Sequence, residues 1–208
     1  MTIAEFKAWL KLWTVKLRRF IWEQWSYHFV PKAVLTNPPT VEKCQYGPVL
    51  SGGEFTPTFE IINGKFKLTG VYSHNYGYSE TSIIDYYLSK GMRIFRFPFL
   101  WERVQPEINS ELDSLEMSRL DAVVDYITSK QSKVGIDIHN GGYAFNELIG
   151  GPKLSNEAFA DLWARLANHY KHNPNVLFMI MSEPSDQSAY DWVKTANLAI
   201  QTIRNIGA

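Results

Sequence analysis

Four short apolar runs dominate this sequence: Gly47 to Ser51, Met92 to Phe97, Lys133 to His139 and Val176 to Ser182. The last three begin roughly 40 residues apart, too far for hairpins and suited to crossover units in which a helix returns the chain to a parallel strand. The intervals carry helical patterns. Apolar residues recur at Ile83, Ile84, Tyr87 and Leu88, then at Leu120, Val123, Val124 and Ile127. A third set is Phe159, Leu162, Trp163, Leu166 and Tyr170, and a fourth is Trp192, Val193, Ala196, Ile200 and Ile203. Four strand–helix repeats predict an α/β fold with parallel strands covered by helices, either a doubly wound sheet or a (β/α) barrel.

Each apolar run ends in polar residues, and function in α/β folds gathers at the carboxyl ends of strands. Glu54 follows the first run. Arg96, Trp101 and Glu102 lie at the second, Asp137, His139 and Asn140 at the third, and Glu183 at the fourth. No glycine-rich turn of nucleotide-binding spacing is present. Lys and Arg together number 21 and so do Asp and Glu, so no net field points to nucleic acid. The single cysteine, Cys44, excludes an internal disulfide and a thiolate metal cluster.

The N-terminal segment differs in character. Phe6, Trp9, Leu10, Trp13, Leu17, Phe20 and Ile21 share one side of a predicted helix, with Lys7, Lys11, Arg18, Arg19 and Glu23 opposite. Residues 1–35 hold six Lys or Arg against two Glu. Two readings stand: a helix packed on its own domain, or a helix of residues 1–30 lying on a membrane surface. Pro31, Pro38 and Pro39 end the segment, predicting a helix-and-linker region over 1–40 and a domain of strand–helix repeats over 41–208. Residues 1–30 lack a secretory-signal pattern, and no run reaches the ~18 apolar residues of a membrane span.

The stretches "LSGGEF", "GMRIFRFPFLWERVQP", "IDIHN", "FADLWARLANHYKHNPNVLFMIMSEPSD" and "AIQTIRNIGA" together resemble the first half of a glycoside hydrolase family 5 barrel of the microbial endo-β-1,4-glucanase, or cellulase, type. The resemblance implies a (β/α)8 TIM-barrel fold, polysaccharide catabolism by retaining hydrolysis of a β-1,4-glucan, and no cofactor. Glu183 matches the general acid/base glutamate of the family's Asn-Glu-Pro motif. Arg96 matches the arginine that supports the catalytic carboxylates, and His139 and Asn140 match the pair lining the sugar subsite. Trp101, Tyr143 and Phe145 are candidate stacking platforms for sugar rings. Ser182 stands where the family has a substrate-binding asparagine. By the same resemblance the family is usually secreted, and this sequence leaves its localisation open.

Four units occupy about 160 residues where a closed barrel has eight units and typically about 250 residues. The sequence therefore predicts a half barrel. The family's nucleophile, a glutamate at the end of strand seven, is expected beyond these units, so the chain alone is expected to be inactive in hydrolysis. Glu54 and Glu102 come from the wrong strands to replace it. A carbohydrate-binding pseudoenzyme is the alternative. The open edges of the first and fourth strands predict either self-association or cover by the N-terminal helix.

Overall fold

The structure, a computed structural model, describes residues 45–55, 59–68 and 70–208. The N-terminal amphipathic helix, the linker at 36–40 and Cys44 lie outside the described residues. In chain order the elements are β1 (Phe59–Ile62), β2 (Lys65–Leu68), α1 (Thr81–Ser89), β3 (Ile94–Phe99), α2 (Trp101–Val104) and α3 (Ser114–Ser129). There follow β4 (Lys133–Ile138), β5 (Tyr143–Ala144), β6 (Glu147–Leu148), α4 (Asn156–Tyr170), β7 (Val176–Met179) and α5 (Ala189–Ile206).

The apolar runs assemble as their lengths require. β3, β4 and β7 form a parallel sheet in that order, with Phe97 opposite Ile136 and Ile136 opposite Phe178. The first predicted strand lies along the free side of β3 through isolated parallel bridges, Val49 to Arg96 and Gly53 to Phe99. Leu50 donates its N–H to Arg96 at 2.8 Å, and Arg96 donates to Pro48 at 3.0 Å. Four parallel segments thus stand side by side. β4 is central, and Val134, Ile136, Asp137 and Ile138 are all fully buried.

Helices are placed by their apolar faces and fixed by their caps. In α4, Phe159, Leu162, Trp163 and Leu166 are fully buried, each adding about 1.5–3 kcal/mol of burial relative to exposure. Side-chain oxygens of Asp113, Ser155 and Ser188 accept N–H bonds from Glu116, Ala158 and Asp191, starting α3, α4 and α5. Gly207 ends α5 in the left-handed conformation. The face of α5 is rotated from the sequence expectation: Val193 is exposed, and Thr195, Ala199 and Ile203 are the buried residues. Thr195 turns inward because its hydroxyl donates to Asn156 Oδ1 at 2.7 Å.

Two hairpins interrupt the repeat. β1 and β2 pair antiparallel across Asn63-Gly64, both at positive φ, which the primed two-residue turns require. β5 and β6 form a smaller hairpin just after β4. Among the described residues no helix is long and apolar enough to cross a membrane.

Candidate active site

The parallel ladders continue past the ends of the strands and set the height of the rim. His139 donates its backbone N–H to Phe99 O at 2.9 Å, and Ser182 donates to Ile138 O at 2.9 Å. Arg96, Asp137, His139 and Ser182 are thereby brought into one cluster. Arg96 Nε donates to Asp137 Oδ2 at 2.8 Å. Its Nη2 lies 3.2 Å from His139 Nδ1 and also donates to Ser182 Oγ. The Ser182 hydroxyl lies 2.9 Å from both Asp137 oxygens. Asp137 is fully buried, whereas the Arg96 and His139 side chains keep about 32% and 28% of their exposure. A buried carboxylate persists only when paired and hydrogen-bonded, and the Arg96 guanidinium and the Ser182 hydroxyl supply those partners. A guanidinium only donates, so a neutral His139 accepts from it at Nδ1 and carries its proton on Nε2.

Beside this cluster a cavity of about 350 Å³ is lined by Glu54, Leu100, Glu102, His139, Asn140 and Tyr143, among others. Asn140 is held at both ends of its amide: Oδ1 accepts from Trp101 N at 2.8 Å, and Nδ2 donates to Glu102 Oε2 at 2.8 Å. Glu102 is buried and accepts a second bond, from Phe145 N at 2.7 Å. Burial pushes its carboxyl above the usual carboxylate range, against the opposing pull of those hydrogen bonds and of nearby Arg103.

Glu183 sits on the turn that follows β7. Its side chain is exposed, and among the described residues its carboxylate makes no hydrogen bond or ion pair. Because Pro184 follows, an extended backbone is the ordinary expectation for Glu183. It adopts instead a φ of 54°, in the left-handed region. Hydrogen bonds on both shoulders hold the turn there. Gly141 N donates to Ser182 O at 3.2 Å, Ser185 N donates to Gly141 O at 2.9 Å, and Tyr143 Oη donates to Asp186 Oδ2 at 3.2 Å.

Three sequence expectations need correction. Trp101 is not a stacking platform in this structure. It is fully buried at the start of α2, its Nε1 donates to Gln105 Oε1 at 2.8 Å, and its ring packs on Phe145 and Phe159. Phe145 is likewise buried, and of the three aromatic candidates Tyr143 alone lines the cavity. Ser182 directs its one O–H donor to Asp137, so none is left for a sugar hydroxyl.

Sequence reasoning missed the role of the Gly141-Gly142 pair. Placed directly after the His-Asn pair, the two glycines were the available signal. A larger cavity of about 740 Å³ lies between the β1–β2 hairpin and α3. Its charged walls are already engaged: Glu116 accepts from Tyr76, Tyr78 and Arg119, and Arg103 donates to Gly53 O and Phe55 O. Of the two, the smaller cavity is the one lined by the strand-end residues His139 and Asn140.

Residues 58–208 match the family model described as cellulase, glycosyl hydrolase family 5. The chain belongs to glycosyl hydrolase family 5. Endoglucanase EG-II of Hypocrea jecorina is 35% identical over 119 residues, covering 57% of this chain and 28% of that protein. The solved structure of XacCel5A in complex with cellopentaose is 35% identical with a TM-score of 0.71, over 78% of this chain and 49% of the other. Pseudomonas stutzeri endoglucanase Cel5A in complex with cellobiose gives 35% identity and a TM-score of 0.66, over 76% of this chain and 45% of the other. The chain thus spans less than half the length of these family 5 relatives. Its fold is of the (β/α)8 barrel type, present as about four βα units.

Proposed function

We propose that this family 5 chain carries the acid/base side of a site that hydrolyses β-1,4-glucan with retention of configuration. The observation that supports it most is Glu183, exposed and unpaired among the described residues, on a turn held beside the Arg96–Asp137–His139–Ser182 cluster. A left-handed conformation costs a non-glycine residue about 1–2 kcal/mol, and such strain clusters at functional positions. The relatives' names and their cellopentaose and cellobiose complexes support the substrate class.

In this reading Glu183 donates its proton to the departing glycosidic oxygen while a carboxylate about 5–5.5 Å away attacks the anomeric carbon. Ionised Glu183 then takes a proton from the water that releases the sugar. By family resemblance the nucleophile belongs to strand seven, outside the four units, so catalysis requires a carboxylate from elsewhere. Arg96 and His139 orient the rim through Asp137, and Asn140 and Tyr143 wall the sugar cavity. Ser182 in place of an amide lowers the rate by roughly 10² to 10³, the effect of removing one preorganised donor.

The test is release of reducing sugar from carboxymethyl-cellulose by the chain, and by Glu183→Gln, each joined to strands five to eight of a family 5 relative's barrel so that a strand-seven carboxylate is supplied, with cellopentaose binding followed in parallel. Release that falls at least ~10²-fold in the variant, with binding retained, is the expected result. Binding without release by the wild type refutes hydrolysis and leaves a glucan-binding module. Absence of both refutes the glucan reading.

A further inference from the structure

Glu102 presents a question of its own. It is a largely buried carboxylate in the wall shared by the two cavities, retained although burial raises the cost of its charge. Its two oxygens receive two donors from the two ends of one loop, Asn140 Nδ2 at 2.8 Å and Phe145 N at 2.7 Å. Between those anchors lie Gly141, which donates to Ser182 O and accepts from Ser185 N, and Tyr143, which donates to Asp186, so that the loop is bonded on either side of Glu183. Only a side chain with an acceptor on both terminal atoms satisfies both donors. Glutamine meets one of them and turns an N–H against the other.

We propose that Glu102 is the positioning residue of the sugar site: it clamps residues 140–145, and through them the cavity wall and the turn that carries Glu183. The sugar part of this assignment rests on the glucan reading above. Glu102 acts through Asn140 and the loop rather than by touching the glycosidic bond.

The geometry dictates an unusual test. In Glu102→Gln the new amide keeps Oε1 on Phe145 N–H and directs Nε2 at Asn140 Nδ2, donor against donor. Asn140 cannot flip to relieve this, because its Oδ1 already holds the Trp101 N–H. In Asn140→Asp two carboxylates face each other. The double variant Glu102→Gln/Asn140→Asp restores every donor–acceptor pair and the original charge with the direction of one bond reversed. A merely space-filling role for Glu102 predicts no such reciprocity.

The measurements are backbone amide exchange over 140–146 in all four proteins, and cellopentaose affinity of the wild type and Glu102→Gln by calorimetry. Each single variant is expected to exchange at least ~10-fold faster over 140–146, while the double variant returns to within ~3-fold of the wild type. Glu102→Gln is expected to weaken cellopentaose binding by ~10-fold. Exchange within twofold of wild type in Glu102→Gln, or no recovery in the double variant, overturns the clamp. Faster exchange with unchanged affinity overturns its role toward sugar. A wild type that binds no cellopentaose overturns the glucan reading instead, and the exchange cycle still decides the clamp.

Discussion

Adding one methyl group at Gly142 presses directly on the turn that presents Glu183. Gly142 has a φ of 93°, and a Cβ built there meets Gln187 Nε2 at 3.0 Å, Ser185 N at 3.2 Å and Pro184 Cα at 3.4 Å. The backbone term alone costs about 1–2 kcal/mol in a non-glycine residue. The three contacts differ in how they yield. Gln187 Nε2 is the end of a side chain with no hydrogen-bond partner among the described residues, so it moves at little cost. Ser185 N is backbone, tied to Gly141 O, and moves only by displacing the turn. Gly142→Ala therefore loses about 2–3 kcal/mol if the turn stays put, or less than that with a shifted Glu183. For a unit of this size, 1 kcal/mol corresponds to about 2–4 °C in Tm. Urea denaturation reads the stability and cellopentaose calorimetry reads the site, and at least one of the two must change. Stability within 0.5 kcal/mol (about the scatter of neutral surface substitutions) together with affinity within twofold refutes the packing argument.

Two further outcomes separate structural from functional roles. Trp101→Phe leaves Gln105 Oε1 without its indole donor and is expected to cost about 1–3 kcal/mol with cellopentaose affinity unchanged; a stacking platform would lose affinity and keep its stability. For Glu102, burial holds the folded pKa above the unfolded one, so its contribution is full below the unfolded pKa of about 4.3 and is lost as pH rises through the folded value. Urea titrations across that window should show the wild type losing ground to Glu102→Gln as pH increases, and a difference independent of pH contradicts the buried charge.

Much of the fold was legible because parallel strands buried on both faces read as uninterrupted apolar runs. The three runs at Met92, Lys133 and Val176 became β3, β4 and β7 within a few residues. Other elements were hidden or overlooked for physical reasons. The first run pairs only along one side through isolated bridges, so its apolar character announced burial but not a regular strand. The β1–β2 hairpin has Phe59, Glu60, Ile61 and Ile62 all exposed, which removes the alternation that marks a half-buried strand. Its Asn63-Gly64 turn was nevertheless a readable signal. At the site, the strand ends pointed to polar residues of which Arg96, Asp137 and His139 do come together in one cluster, and the family motif singled out Glu183. Sequence position could not say which way Trp101 faces: the chain turns into α2 immediately after β3 and carries the indole into the core against Phe159. Nor could it reveal that Ser182 spends its hydroxyl on Asp137, since their pairing spans 45 residues.

Arg96, Asp137 and Ser182 are separated by 41 and 45 residues along the chain, yet their spacing in the rim is the pitch of the sheet, ~4.8 Å per strand. The chain therefore divides into segments whose length matters and segments whose length does not. Insertions in the loops before β4 or before β7 leave the cluster where it is, at a loop-closure cost that grows only slowly with length. Removing a single residue from Lys133–Ile138 would exchange the two faces of β4, sending Asp137 to the position of an isoleucine and an isoleucine toward the Arg96 guanidinium. Length variation across homologous sequences is accordingly expected to collect in the loops and to spare the six residues of β4.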